Sequence, residues 1–272
     1  MKVAISNIAW AAEEERDIAD LLVRLRITGV EVAPGKIGPR PAELTDEAVE
    51  RYRAFWNERG IEIVAMQALL FGTNDLALFQ GESSRRALRD YLVRIVRLGG
   101  LLGARVLVFG SPKNRRIEAL SESDVMKIAV PFFREVGAIA QDRGTCVCIE
   151  PNPPAYGADW ITNAKEALAF VARVDHPGFG LHLDAGALSM MGEDELEIRA
   201  AGAKIRHFHA SQPELAPLAG CGPVPHERYA EALRAMNYPN WVSIEMRQVS
   251  GSPSSRAVVE TALEYALRVY GG

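Results

Sequence analysis

The sequence predicts a single-domain (β/α)8 TIM barrel over residues 1–272. Three observations carry that prediction: the length of 272 residues, eight short β-branched runs spread along it, and a longer amphipathic stretch after each run. One α/β barrel takes about 250 residues. Strands that alternate with helices join as parallel neighbours, and their runs are almost wholly apolar because both faces of a parallel sheet are buried.

Taken in order, the first strand is expected at Lys2–Ser6, followed by a helix over Asp17–Arg26. Gly29–Val32 leads to a helix at Asp46–Arg59, closed by Gly60. Glu62–Met66 leads to Ser84–Gly99, with the pair Gly99-Gly100 as the expected cap. Arg105–Phe109 leads to Asp124–Arg143, closed by Gly144. Glycine suits these ends because the residue past a helix often turns left-handed. Cys146–Ile149 precedes a helix at Ala164–Val174, and Gly180–Leu183 precedes the least periodic one, Asp194–Ala201. Ile205–His209 precedes Arg228–Met236, and Val242–Glu245 precedes Arg256–Val269. A doubly wound open sheet fits less well, because no Gly-rich phosphate loop follows the first strand. Three Pro/Gly-rich segments, Ala33–Pro41, Pro151–Gly157 and Pro213–Pro225, each follow a strand's C-terminal end. Barrel sites are built on that face, so these segments read as site walls or a lid and not as domain boundaries.

Composition narrows the function classes. At 48% hydrophobic and 24% charged residues the chain is ordinary for a soluble globular protein, which excludes disorder. Thirty-one Lys+Arg against 35 Asp+Glu give a net charge of −4, a poor match to a nucleic-acid backbone. No run approaches the ~18 uncharged apolar residues of a membrane span. The opening MKVAISNIAW runs into Glu13, Glu14 and Glu15 without a secretory pattern, so a cytoplasmic location is expected. The three cysteines, Cys146, Cys148 and Cys221, suit a reducing compartment, and the first two read as small residues packed on a strand.

Four successive strands end in metal-capable residues. CVCIEPN ends at Glu150, GLHLDAG at Asp184, IRHFHAS at His209 and WVSIEMR at Glu245. At the top rim these aim three carboxylates and an imidazole at one point. Carboxylates crowded in a low-dielectric site repel, and a divalent cation removes that repulsion. One nitrogen and three oxygen ligands suit Mn²⁺, Mg²⁺, Co²⁺ or Zn²⁺, and the oxygen-rich set leans towards Mn²⁺ or Mg²⁺.

On the Glu150-Pro151-Asn152 segment, the Asp184 and His209 strands and the closing SIEM strand, the sequence resembles the sugar isomerase/epimerase family with a xylose-isomerase-like TIM barrel, ketose 3-epimerases included. The resemblance covers nearly the whole chain. It implies one divalent metal ion, Mn²⁺ first, held by Glu150, Asp184, His209 and Glu245, with Glu150 and Glu245 also acting as the acid/base pair. It implies proton abstraction next to a carbonyl through a metal-stabilised enediolate, on a small sugar or polyol. Two substrate-contacting positions depart from the ketose 3-epimerase pattern. Ala187 stands where a His follows the metal Asp by three, and Leu215 where an Arg follows the metal His by six. Related barrels dehydrate keto-inositol-type substrates or cleave C-glycosides. HASQPELAPL and EPNPPAYGADW resemble the branch with C-glycoside-cleaving subunits, so a lyase on the same scaffold is the alternative. The superfamily's DNA-repair endonucleases hold three zinc ions, for which five histidines are too few. A metal-free barrel serving as a partner subunit is the non-catalytic alternative, and a homo-oligomer is expected by analogy.

Further substrate-binding candidates follow from position. His182 and His207 lie two residues before proposed ligands and share the barrel interior one layer down, as ligand-orienting groups or as satisfied core residues. Asn152 and Gln67 face the mouth. Glu31 reads as lining the opposite wall or pairing with a cation. Lys113, Arg115 and Arg116 form a basic loop after strand four, of which Lys113 is the candidate for an anionic group and the rest read as solvated. His226 opens the last-but-one helix, as an acid/base group or a helix-terminal residue. Arg247 is placed to pair with a ligand carboxylate. Trp10, Trp160 and Phe71 are loop aromatics that either stack on a sugar or pack.

Overall fold

The computed structural model describes residues 1–73, 75–220, 222–249 and 254–272, so Cys221 lies outside the described residues. The eight strands are β1 (Lys2–Ser6), β2 (Gly29–Val32), β3 (Glu62–Met66), β4 (Val106–Phe109), β5 (Cys146–Ile149), β6 (Phe179–Asp184), β7 (Ile205–Ser211) and β8 (Trp241–Glu245). They close into a parallel barrel in sequence order, β8 returning to β1 through the pairs Lys2–Trp241 to Ile5–Ile244. The fold expected from the sequence is the fold observed.

The helices between strands are α1 (Glu15–Arg24), the short α2 (Pro34–Ile37), α3 (Asp46–Asn57), α4 (Glu82–Leu102), α5 (Glu122–Asp142), α6 (Ala164–Val174), the short α7 (Ala185–Met190), α8 (Glu195–Ala201), α9 (His226–Ala235) and α10 (Arg256–Tyr270). Polar caps fix several starts: the Asn163 side chain accepts from Glu166 N at 2.9 Å, and Asp194 with Glu197 forms a reciprocal cap on α8. That box is what makes the weakly periodic α8 segment a helix.

One cap is corrected. Gly99 and Gly100 lie inside α4, which runs on to a left-handed Gly103 at φ 81°. A Cβ on Gly99 would stand 2.6 Å from Leu107 Cδ2, and one on Gly100 would stand 3.0 Å from Arg143 O. The pair lets α4 sit against β4 and the end of α5.

Alternate strand residues build two cores. Outward-facing Ile5, Val30, Leu107, Phe109, Ile149, Leu183, Phe208 and Ile244 pack under the helices. Phe109, Phe133, Phe170 and Phe179 meet there with ring centroids 5.0–5.8 Å apart. Each such side chain contributes roughly 1.5–3 kcal/mol of burial. Inside the barrel, Ala4, Val64, Ala65, Val106, Val108 and Cys148 form a separate apolar plug. Cys146 and Cys148 are free thiols on β5 at the lower end, as their packing role predicts.

The registers shift at two places, β2 against β3 after Val30 and β6 against β7 after Leu181. Each shift inserts one extra residue, Val64 and Arg206 respectively, and beyond it the polar residues Glu31, His182, His207 and His209 occupy the lumen. Among the described residues no helix is long and apolar enough to cross a membrane.

Candidate metal centre

Glu150 follows β5 directly, Asp184 ends β6, His209 lies inside β7 and Glu245 ends β8. One ligand atom from each of the four lies within 4.8 Å of the others. Local structure fixes each of them. Gly110 ends the apolar run of β4, and a Cβ there would stand 2.1 Å from Glu150 Oε2, so glycine makes room for the carboxylate. Asp184 caps α7, its Oδ1 accepting from Ala187 N at 2.6 Å, while its Oδ2 accepts from the Ser211 hydroxyl. His209 Nε2 stands 2.9 and 3.1 Å from the two carboxylate oxygens of Glu31. Its Nδ1 points the other way, 3.2 Å from Glu245 Oε2 and 3.8 Å from Asp184 Oδ2, and has no hydrogen-bond partner.

The electrostatics are those of crowded buried acids. Burial first, then Glu245 and Asp184, push the Glu150 carboxyl up to about 8. Burial and Glu245 push Asp184 up to about 6. Burial alone would lower the His209 imidazole, but Glu31 and Glu245 hold it well above the usual histidine range. Burial would likewise raise Glu31, and His209 and His207 hold it well below the usual carboxylate range. A buried imidazole nitrogen without a hydrogen bond, facing three carboxyl groups, suits a divalent cation, which would satisfy the nitrogen and the acids together.

The other sequence candidates fall at three distances from this cluster. A cavity of about 410 Å³ opens above it, walled by Ser111, Asn152, Tyr156, Gln212, Leu215 and Arg247. Asn152 and Arg247 therefore reach the cavity. His182 lies below, its Nε2 3.6 Å from Glu150 Oε1 with neither ring nitrogen hydrogen-bonded. His207 Nε2 is 3.4 Å from Glu31. Three candidates stand off the wall. Gln67 donates to Ser6 Oγ at 2.8 Å. Lys113 lines a neighbouring cavity of about 520 Å³ with Leu70, Phe71 and Thr73, which meets the first at Ser111 and Pro112. His226 is buried behind Gln212, 3.2 Å from its Nε2 and 2.7 Å from the Tyr270 hydroxyl, and burial holds its ring down at about 4.

The basic loop needs a correction. Arg115 is 1% exposed and not solvated. Its guanidinium donates to Gly110 O at 2.9 Å, to Glu150 O at 2.8 Å, to Asn152 Oδ1 at 3.1 Å and to Trp160 O. It staples the loops after β4 and β5 from behind, and burial lowers it to about 10. Trp10 and Trp160 are packing residues, whereas Phe71 is 86% exposed. Sequence reasoning missed Tyr156, Ser211 and Gln212. Ser211 continues the alternation His207, His209, Ser211 and was findable by it; Tyr156 and Gln212 arrive on loops that carry no period.

Solved structures match this chain over its full length. D-psicose 3-epimerase from Clostridium cellulolyticum H10 with D-tagatose has a TM-score of 0.84 at 18% identity, covering 100% of both chains. 3-keto-D-glucoside 4-epimerase from E. coli has a TM-score of 0.78 at 17% identity, over 97% of this chain and 98% of that one. The IolI protein with a bound zinc atom has a TM-score of 0.77 at 17% identity, over 99% and 98%. At these identities the likeness is one of fold. No curated protein matches the sequence. The model of the xylose isomerase-like TIM barrel family matches residues 19–268, and with eight strands closed in that order the chain belongs to this family.

Proposed function

We propose that this chain is a divalent-metal-dependent isomerase or epimerase of a small sugar or sugar derivative, with Glu150 and Glu245 as its acid/base pair. The observation that supports it most is the convergence of Glu150, Asp184, His209 and Glu245, with His209 Nδ1 facing the acids without a hydrogen bond. These four would hold one cation. Mn²⁺ suits the oxygen-rich set best, and Mg²⁺, Co²⁺ and Zn²⁺ also fit it. When bound, the cation supplies positive charge against the negative charge that develops on substrate oxygens.

The chain's own residues do the rest. Glu150 and Glu245 stand at the ends of β5 and β8, with two strands between them around the mouth, and approach a substrate from different sides. One takes a proton from the carbon next to a carbonyl, and the other gives one back on the opposite face; return to the adjacent carbon isomerises instead. In the metal-free site burial first, then Glu245 and Asp184, push the Glu150 carboxyl up to about 8. Asn152, Tyr156 and Arg247 on the wall would orient hydroxyls, with His182 beneath Glu150. Two structural relatives are epimerases of sugars by name, which agrees with this chemistry.

A second reading, a lyase acting on a substituted sugar, draws on two observations. Ala187 and Leu215 line the cavity where a His and an Arg are usual in ketose 3-epimerases, and the cavity continues past Ser111 and Pro112 to the exposed Phe71. One experiment separates the readings: incubation with Mn²⁺ in D₂O with free ketoses and with 3-keto-glucosides. Deuterium gained with the carbon skeleton and substituent intact supports the epimerase. Release of the substituent or of water supports the lyase. No exchange with either set overturns both. Glu150→Gln and Glu245→Gln should each lower turnover by roughly 10²–10⁴-fold.

A further inference from the structure

We infer that Glu31 is a positioning residue for the metal centre: through Nε2 it holds the His209 ring so that Nδ1 faces Glu150, Asp184 and Glu245. The inference rests on the cation-binding reading above. Glu31 belongs to β2 and His209 to β7, which are not neighbours in the barrel, so the contact spans the lumen. Glu31 is completely buried. Among the described residues the ionisable groups in contact with its carboxylate are His209 and His207.

The geometry assigns the proton. Both carboxylate oxygens lie within 3.1 Å of His209 Nε2. A nitrogen that close to a carboxylate carries hydrogen, since two lone pairs would repel. With Nε2 protonated, the lone pair that can meet a cation is on Nδ1, the nitrogen without a hydrogen-bond partner. His207 stands on the other side of the carboxylate, its Nε2 3.4 Å from Oε1. Without Glu31 the ring is free to carry its proton on Nδ1 and donate to Glu245, which would block the cation. The rival assignment makes Glu31, His207 and His209 a second cation site, because their ligand atoms also cluster. The distances of 2.9 and 3.1 Å are those of N–H···O hydrogen bonds to both oxygens of one carboxylate, which favours the brace.

The test is Mn²⁺ binding to metal-stripped protein, read by electron paramagnetic resonance and calorimetry for wild type and Glu31→Gln. One ion per wild-type chain, bound roughly 10–100-fold more weakly by the variant at unchanged stoichiometry, is expected. Equal affinity in the two proteins overturns the inference and leaves the metal centre standing. Two ions in wild type and one in the variant make Glu31 a ligand and overturn the brace. No binding by wild type overturns the metal reading and the inference together. Should Glu31→Gln not fold, the zinc-loaded wild type decides by long-range ¹H–¹⁵N spectra of His209. A proton on Nε2 is expected, and a proton on Nδ1 overturns the assignment.

Discussion

Arg115 shows how far a residue's role can depart from its charge. It follows Lys113 in a basic run at the mouth, yet its guanidinium is buried and donates to Gly110 O, Glu150 O, Trp160 O and Asn152 Oδ1. Removing it leaves buried acceptors unpaired. Arg115→Met is therefore expected to destabilise the fold by about 3 kcal/mol, measured by urea unfolding, and a loss under about 1 kcal/mol would show that the acceptors find other partners. The sequence shows a cation there but not its reach, because the loop after β4 has no period to orient it. Glu31 posed the same difficulty: its place in β2 was legible, and its partner, 178 residues away, was not.

Elements were far more legible than loops. All eight strands were readable within two residues at either end, since a strand buried on both faces leaves an apolar run that ends where polar residues reach the mouth. Period-two alternation then ranked the lumen residues correctly from Asp184 and His209 down to His182 and His207. The extra residues Val64 and Arg206 left no mark on the pattern, because an inserted residue shows only once the partner strand is known. Glycine misled for a related reason: Gly99 and Gly100 serve tight packing against other elements, and Gly110 serves a side chain on the next strand. At Gly110 this makes a prediction for the β4–β5 junction. Gly110→Ala drives a methyl into Glu150 Oε2 and should weaken Mn²⁺ binding by about tenfold or more. It should change stability by no more than about 1–3 kcal/mol, the range of one overpacked group. Calorimetric titration beside urea unfolding reads both, and unchanged affinity would mean the carboxylate has room to move aside.

The whole molecule carries the cost of its acids as a dependence on pH. In metal-stripped protein the folded Glu150 holds its proton up to about 8 and Asp184 up to about 6, against ordinary values of 4.5 and 3.8. Between the ordinary and the raised values the folded state binds more protons than the unfolded one, so stability falls as pH rises. The His209 imidazole, held above its ordinary 6.5, acts in the same direction at higher pH. The melting temperature of metal-stripped protein should therefore decline from pH 6.5 to pH 8, above the range in which His182 and His226, whose rings burial holds below the ordinary value, act in the opposite direction. Glu150→Gln should flatten the upper part of that decline, and saturating Mn²⁺ should offset it. Calorimetry across this range is the measurement, and a melting temperature that rose with pH would contradict the raised carboxyls.

The apolar plug of Ala4, Val64, Ala65, Val106, Val108 and Cys148 makes the lumen a vessel with one door. That door is the mouth, where Tyr156 and Arg247 stand on one side and Ser111 and Pro112 lead on towards Phe71. A molecule seated above the four ligands corks that door. The hydrogen lifted onto one glutamate can then reach bulk solvent only after the product leaves, and the one given back comes from the other glutamate, so each epimerised product should gain one solvent hydrogen while the substrate left behind gains none.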